Sequence, residues 1–155
     1  MIACTIATAE PTLIQREAKQ ALEMNIKMKD YRGSIFAQAH LDKIDYRPIL
    51  RRAIDRDSEA LVSLFPMEFM GEGAETHCSN LLHLMRLWGD DAFSVLLTKQ
   101  AKEIRDLVVS SIDYAWADPE WNVYTKTRAA SQNNVRRDSK KQNKSEQATP
   151  RKLSD

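Results

Sequence analysis

Two stretches of this chain, RPILRRAIDRDSEALVSLF (47–65) and NLLHLMRLWGDDAFSVLLT (80–98), carry one apolar rhythm at a fixed offset of 33 residues. Pro48 falls on Leu81, Ile49 on Leu82, Asp57 on Asp90, Val62 on Val95 and Leu64 on Leu97. Each copy reads as a short helix, a tight polar link and a second helix with an apolar face. A recurring period constrains the fold more than any single residue does. One such unit cannot bury its own face, so its neighbours must cover it.

The rest of the body is compatible with helices throughout. Four glycines and five prolines in 155 residues are too few for the frequent turns of an all-β chain. EPTLIQREAKQALEMNIKMKD opens the series, with Ile14, Ala18, Ala21, Leu22 and Ile26 at helical spacing and Pro11 tolerable in a first turn. Gly33 stops it, and Ser34 can cap IFAQAHLDK. Asp57 or Ser58 can cap the helix that ends at Pro66. PMEFMGEGAETHCSN reads as the least regular stretch, since Gly71 and Gly73 permit positive φ. A further helix, AKEIRDLVVSSIDYAW, places Ile104, Leu107, Val108, Ser111 and Ile112 on its inner face.

The spacing and the second copy's Leu82, His83 and Gly89 resemble the ankyrin repeat, a β-turn plus two antiparallel helices with the signature T-P-L-H-x-A. The first copy contributes Pro48, Ile49 and Ala53. Asn80 and Leu81 stand where Thr and Pro belong, Met85 and Arg86 replace the paired alanines, and Arg56 replaces the inter-helix Gly of the first copy. The resemblance spans residues 47–98. It implies an all-α, ankyrin-like solenoid of two repeats over residues 1–125. Residues 10–41 would form one cap, and 101–116 with Trp116, Trp121 and Tyr124 the other. It further implies a structural role for His83, and a projecting finger that gathers partners with the concave face. Asp90 and Asp91 then satisfy the free N–H groups of the helix they open.

The net charge of +1 hides a division. From Lys126 onward there are nine basic and three acidic side chains, leaving 14 and 19 in the first 125 residues. Residues 126–155 therefore read as a disordered basic tail on a mildly acidic body. The amino terminus lacks a basic run, and no apolar stretch approaches the roughly 18 residues of a membrane span. The expected setting is cytoplasmic, or nuclear in a eukaryotic cell, away from the membrane. Cys4 and Cys78 do not demand a disulfide.

His77, Cys78 and His83 invite a zinc reading, but no second close ligand pair completes a tetrahedral set. Nothing in the sequence places Cys78 within hydrogen-bonding reach of His40 or His83 as a nucleophilic pair needs, and GEG at 71–73 lacks the following Lys and helix of a phosphate loop. The expectation is a non-catalytic protein–protein interaction module, a small inhibitor or adaptor, without cofactor, metal or small-molecule substrate. Met67, Phe69, Met70, Glu72 and Glu75 are the candidate contact residues. Phe69 and Met70 either protrude as anchors or fold back under the neighbouring cap. The alternative is a helical nucleic-acid-associated regulator, its contacts made by Arg136, Arg137, Lys140 and Lys141 of the tail.

Overall fold

The computed structural model describes residues 10–115 and 123–132, whose regular structure is helical. In order, these helices are α1 (Leu13–Ile26), α2 (Ile35–Leu41), α3 (Tyr46–Ile54), α4 (Ser58–Leu64), α5 (Gly71–Trp88), α6 (Asp90–Leu97), α7 (Lys102–Ala115) and α8 (Thr125–Gln132).

Local signals explain most of the boundaries. Thr12 and Gln15 form a reciprocal capping box at the start of α1, each side chain accepting the other's backbone N–H at 3.3 and 3.0 Å. Ser34 caps α2 through Ala37 N–H, and the Asp57 carboxylate caps α4 by accepting from Glu59 and Ala60. Ala18, Leu22 and Ile26, each one turn after the last, form the buried stripe of α1. Ile14, expected on that stripe, is 42% exposed because it lies near the helix's outer end.

Helix α5 is the axis of the molecule. Gln15 donates to the Leu87 carbonyl and Asn25 to Asn80, so α1 runs antiparallel along it. Helix α7 is antiparallel too, its Leu107 opposite His77 and its Tyr114 opposite Gly71. The α3–α4 hairpin joins this assembly through α3 on α5 and α4 on α6, and α8 covers α6 and α7. Phe65 and Phe93, both fully buried, meet edge to face at 5.3 Å. The two inter-helix turns fall in register: Arg56 has φ 71° and Gly89 has φ 79°, 33 residues apart. Arg56 tolerates this geometry while its guanidinium donates to the Leu87 and Trp88 carbonyls at the end of α5.

Three expectations are corrected. The stretch read as an irregular finger is helical from Gly71 onward, so α5 is 18 residues long and Glu72 and Glu75 stand on it. Gly73 is there for close approach: a Cβ on it would come within 2.5 Å of the Gln38 amide. Residues 126–132, expected to be part of a disordered tail, belong to α8, with Thr127 and Ala130 fully buried. Asp90 does not cap its own helix. Its carboxylate accepts from Lys126 N–H at 2.9 Å and Thr127 N–H at 2.8 Å, and so caps α8, while Asp91 pairs with the Lys126 ammonium. Cys4, Trp116, Trp121 and the tail beyond residue 132 lie outside the described residues.

Candidate functional site

The aromatic ring of Tyr46 is the hub of a buried polar chain between α1, α3 and α5. Asn25 donates to Asn80 Oδ1 at 2.8 Å, Asn80 Nδ2 donates to the Tyr46 hydroxyl at 3.2 Å, and that hydroxyl lies 2.9 Å from His77 Nδ1. Asn80 Nδ2 can only donate to the Tyr46 oxygen, and His77 Nδ1 is the acceptor within reach of the phenol proton, which assigns the imidazole proton to Nε2. Burial pushes the His77 pKa down to about 4, against the opposing Leu64 carbonyl, so the ring is neutral at pH 7. Burial likewise pushes the Tyr46 phenol well above its usual range, with the Asn80 hydrogen bond pulling the other way. Phe36 and Phe69 close on Tyr46 edge to face at 6.1 and 5.6 Å. The chain of bonds is a fastening: no member offers a free nucleophile or an ionised base.

Beside this fastening, α5 and α7 separate into an open groove. Small residues face each other there, Gly71, Ala74 and Cys78 on α5 against Ser110 and Ser111 on α7, and the packing leaves a cleft of about 360 Å³ ending at Tyr114. A second cleft of about 190 Å³ adjoins it, sharing Ala74, Cys78 and Ser111 and walled by Met67, Phe69 and Leu107. Burial raises the Cys78 thiol pKa, partly offset by the Ser111 hydroxyl, so the sulfur stays protonated and behaves as a small apolar group. Glu75 and Glu68 stand at the rims.

Tyr114, in the lining of the larger cleft, is 69% exposed, and Met70, which precedes Gly71 of that lining in the chain, is 82% exposed. The Met70 backbone is nevertheless fixed. Gln38 of α2 accepts from Met70 N–H and donates to Met70 C=O, both at 2.9 Å, and donates again to the Gly33 carbonyl. A side-chain amide thus grips one residue as a strand partner would. The Tyr31 hydroxyl bonds to the Glu72 carboxylate and so ties the first turn of α5 to the same loop.

Of the five residues picked from sequence, Met67 and Phe69 line the smaller cleft and Glu75 the larger, while Met70 and Glu72 line neither. Phe69 folds inward, 5.1 Å from the His77 ring, and Met67 packs beside it, whereas Met70 points out. The two readings left open for Phe69 and Met70 are divided between them. His83 is half-buried, and its Nδ1 finds no bond in hydrogen-bonding geometry. Burial, together with nearby Arg86, lowers its pKa. Among the described residues, no three of His, Cys, Asp and Glu gather as a metal-holding group. Nor is any described helix long and apolar enough to cross a membrane. Arg136, Arg137, Lys140 and Lys141 lie outside the described residues.

Sequence reasoning missed Gln38, Ser110 and Tyr114. A signal did exist for the groove: Leu107 and Ser111 sit on the inner face of α7 by spacing, yet both are only half-buried. What the fold and groove define is a class, an all-helical protein with an open, apolar-floored cleft between antiparallel helices. Compared with family models, curated proteins and solved structures, the chain matches none of them.

Proposed function

We propose that this protein is a non-catalytic protein–protein interaction module, an inhibitor or adaptor, that receives a segment of its partner in the groove between α5 and α7. One observation carries this reading: Met70, a large apolar side chain, is presented to solvent on a backbone held at both its N–H and its C=O by Gln38. An exposed anchor on a pre-ordered backbone loses little entropy on binding, which is what distinguishes a contact residue from a stray surface methionine. Tyr114 supplies a second anchor across the cleft. The 33-residue register, with a positive φ at both Arg56 and Gly89, supports reading α3–α4 and α5–α6 as two ankyrin-like units. In that reading the groove takes over the recognition role that the resemblance gave to a finger.

The test is affinity capture with the full chain, followed by the same capture with Met70→Ser and with Tyr114→Ser. Both positions are exposed, so folding should change by no more than about 0.5 kcal/mol. Loss of the same captured protein with either variant supports the groove. Capture unchanged by both removes it. Phe69→Ser is not a usable probe, because it opens the packing around Tyr46 and His77.

A further inference from the structure

We infer that the segment the groove accepts is basic: a peptide that inserts one large apolar side chain and carries Lys or Arg on either side of it. This rests on the groove being a docking surface, and it adds the chemistry of the occupant.

The dimensions limit the occupant first. From Gly71 to Cys78 the α5 wall rises roughly 10 Å at about 1.5 Å per residue, which accommodates one large side chain or two small ones. The floor is apolar or weakly polar, formed by Ala74, Cys78 and Ser111, and it contributes no charge. The inserted group is therefore apolar, and its flanks lie across the rims.

Charge then decides the flanks. Glu68 lines the smaller cleft and Glu75 the larger; both stand exposed, and no ion pair engages them among the described residues, whereas Glu72 faces away and is bonded to Tyr31. No Lys or Arg lines either cleft. On α7, Asp106 is engaged by Lys102 and Asp113 by Arg128, whereas Glu68 and Glu75 in the cleft linings are in no ion pair among the described residues. Carboxylates spaced around an apolar slot repel an acidic segment and steer a basic one, with a dependence on salt that a purely apolar contact lacks. The smaller cleft is also lined by His77, which is 3% exposed and kept neutral by burial, so it adds no competing cation.

The experiment is panning of a random twelve-residue phage-displayed peptide library on the full-length chain, with binding of the enriched peptides then measured by fluorescence polarisation. The expected pool carries Leu, Met, Phe or Trp flanked by Lys or Arg. Its binding is lost with Met70→Ser or Tyr114→Ser. It weakens about tenfold with Glu68→Gln/Glu75→Gln and also between 50 and 500 mM salt, as loss of close charge pairs requires. Thermal unfolding of the glutamine variant should match the parent, which separates charge from folding. If enriched peptides need Met70 and Tyr114 but are neutral or acidic, the basic chemistry is wrong and the groove stands. If none is enriched, or if enriched peptides bind both serine variants as tightly as the parent, the groove reading fails and takes this inference with it.

Discussion

Tyr46→Phe removes a single oxygen from the centre of the molecule, and its cost can be worked from the bonds that oxygen makes. The ring is 2% exposed and Asn80 is 0% exposed, so water cannot replace what is lost. The substitution strands Asn80 Nδ2, now without its acceptor at 3.2 Å, and His77 Nδ1, now without its donor at 2.9 Å. Each stranded buried group costs about 1–3 kcal/mol, and the apolar ring keeps its packing, so a total near 3 kcal/mol is expected. For a domain of this size that corresponds to a Tm lower by about 10 °C. Thermal unfolding followed by circular dichroism at pH 7 measures it. A double-mutant cycle with Asn80→Ala should show a coupling above about 0.5 kcal/mol, because the two residues share one bond. A fall in Tm of less than 2 °C, with no coupling to Asn80, would falsify the claim that this hydroxyl fastens α3 to α5.

The remaining predictions concern other joints of the same structure. His77 titrates near 4 when folded and near 6.5 when unfolded, so the unfolded chain binds more protons between those values. Stability is therefore full above pH 6.5 and falls as the pH drops towards 4, by about 2 kcal/mol at pH 5 in urea titrations. His83 acts in the same direction, so His77→Gln should remove only part of that slope; a slope unchanged by the substitution would assign it elsewhere. Asp90→Ala deletes both bonds that start α8 and should cost about 1–2 kcal/mol, seen as faster amide exchange in residues 125–132 while α1 is unaffected. Gly89→Ala places a Cβ at φ 79°, ψ 158°, a region kept almost wholly for glycine, and should cost about 1–3 kcal/mol by chemical denaturation; a neutral result would show that the turn relaxes.

The sequence made the helices easy to find and their partners hard. Apolar spacing located α1, α2, α4, α6 and α7, and Ser34 and Asp57 were legible as caps because they act through bonds only two or three residues long; Thr12, the cap of α1, went unread. The start of α5 was hidden. Its first turn holds Gly71 and Gly73, residues of poor helix propensity, and what fixes it is Gln38, 32 residues upstream. Asp90 misled for the same reason: an Asp after a Gly is a good local cap, but this one serves a helix 36 residues further along. Helix α8 is mostly polar and shows no amphipathic signal comparable to α1, so its burial depends on a surface made by α6 and α7. The groove was legible only in part. Its apolar residues were visible, but the gap arises because small side chains on two separate helices come face to face.

Met70 offers α5 no side chain of its own to begin the helix, and the first bonds onto its carbonyl, from Gly73 and Ala74, span 3.1 and 3.4 Å. The opening turns of α5 therefore exist on loan from α2. Were the Gln38 grip removed, the first turn, residues 71–74, is where α5 would open, since from His77 onward the helix is fastened to Tyr46 and α1. Whatever fills the cleft must by the same linkage hold α2 in place, so occupancy should be readable at a distance, as slower amide exchange around Gln38.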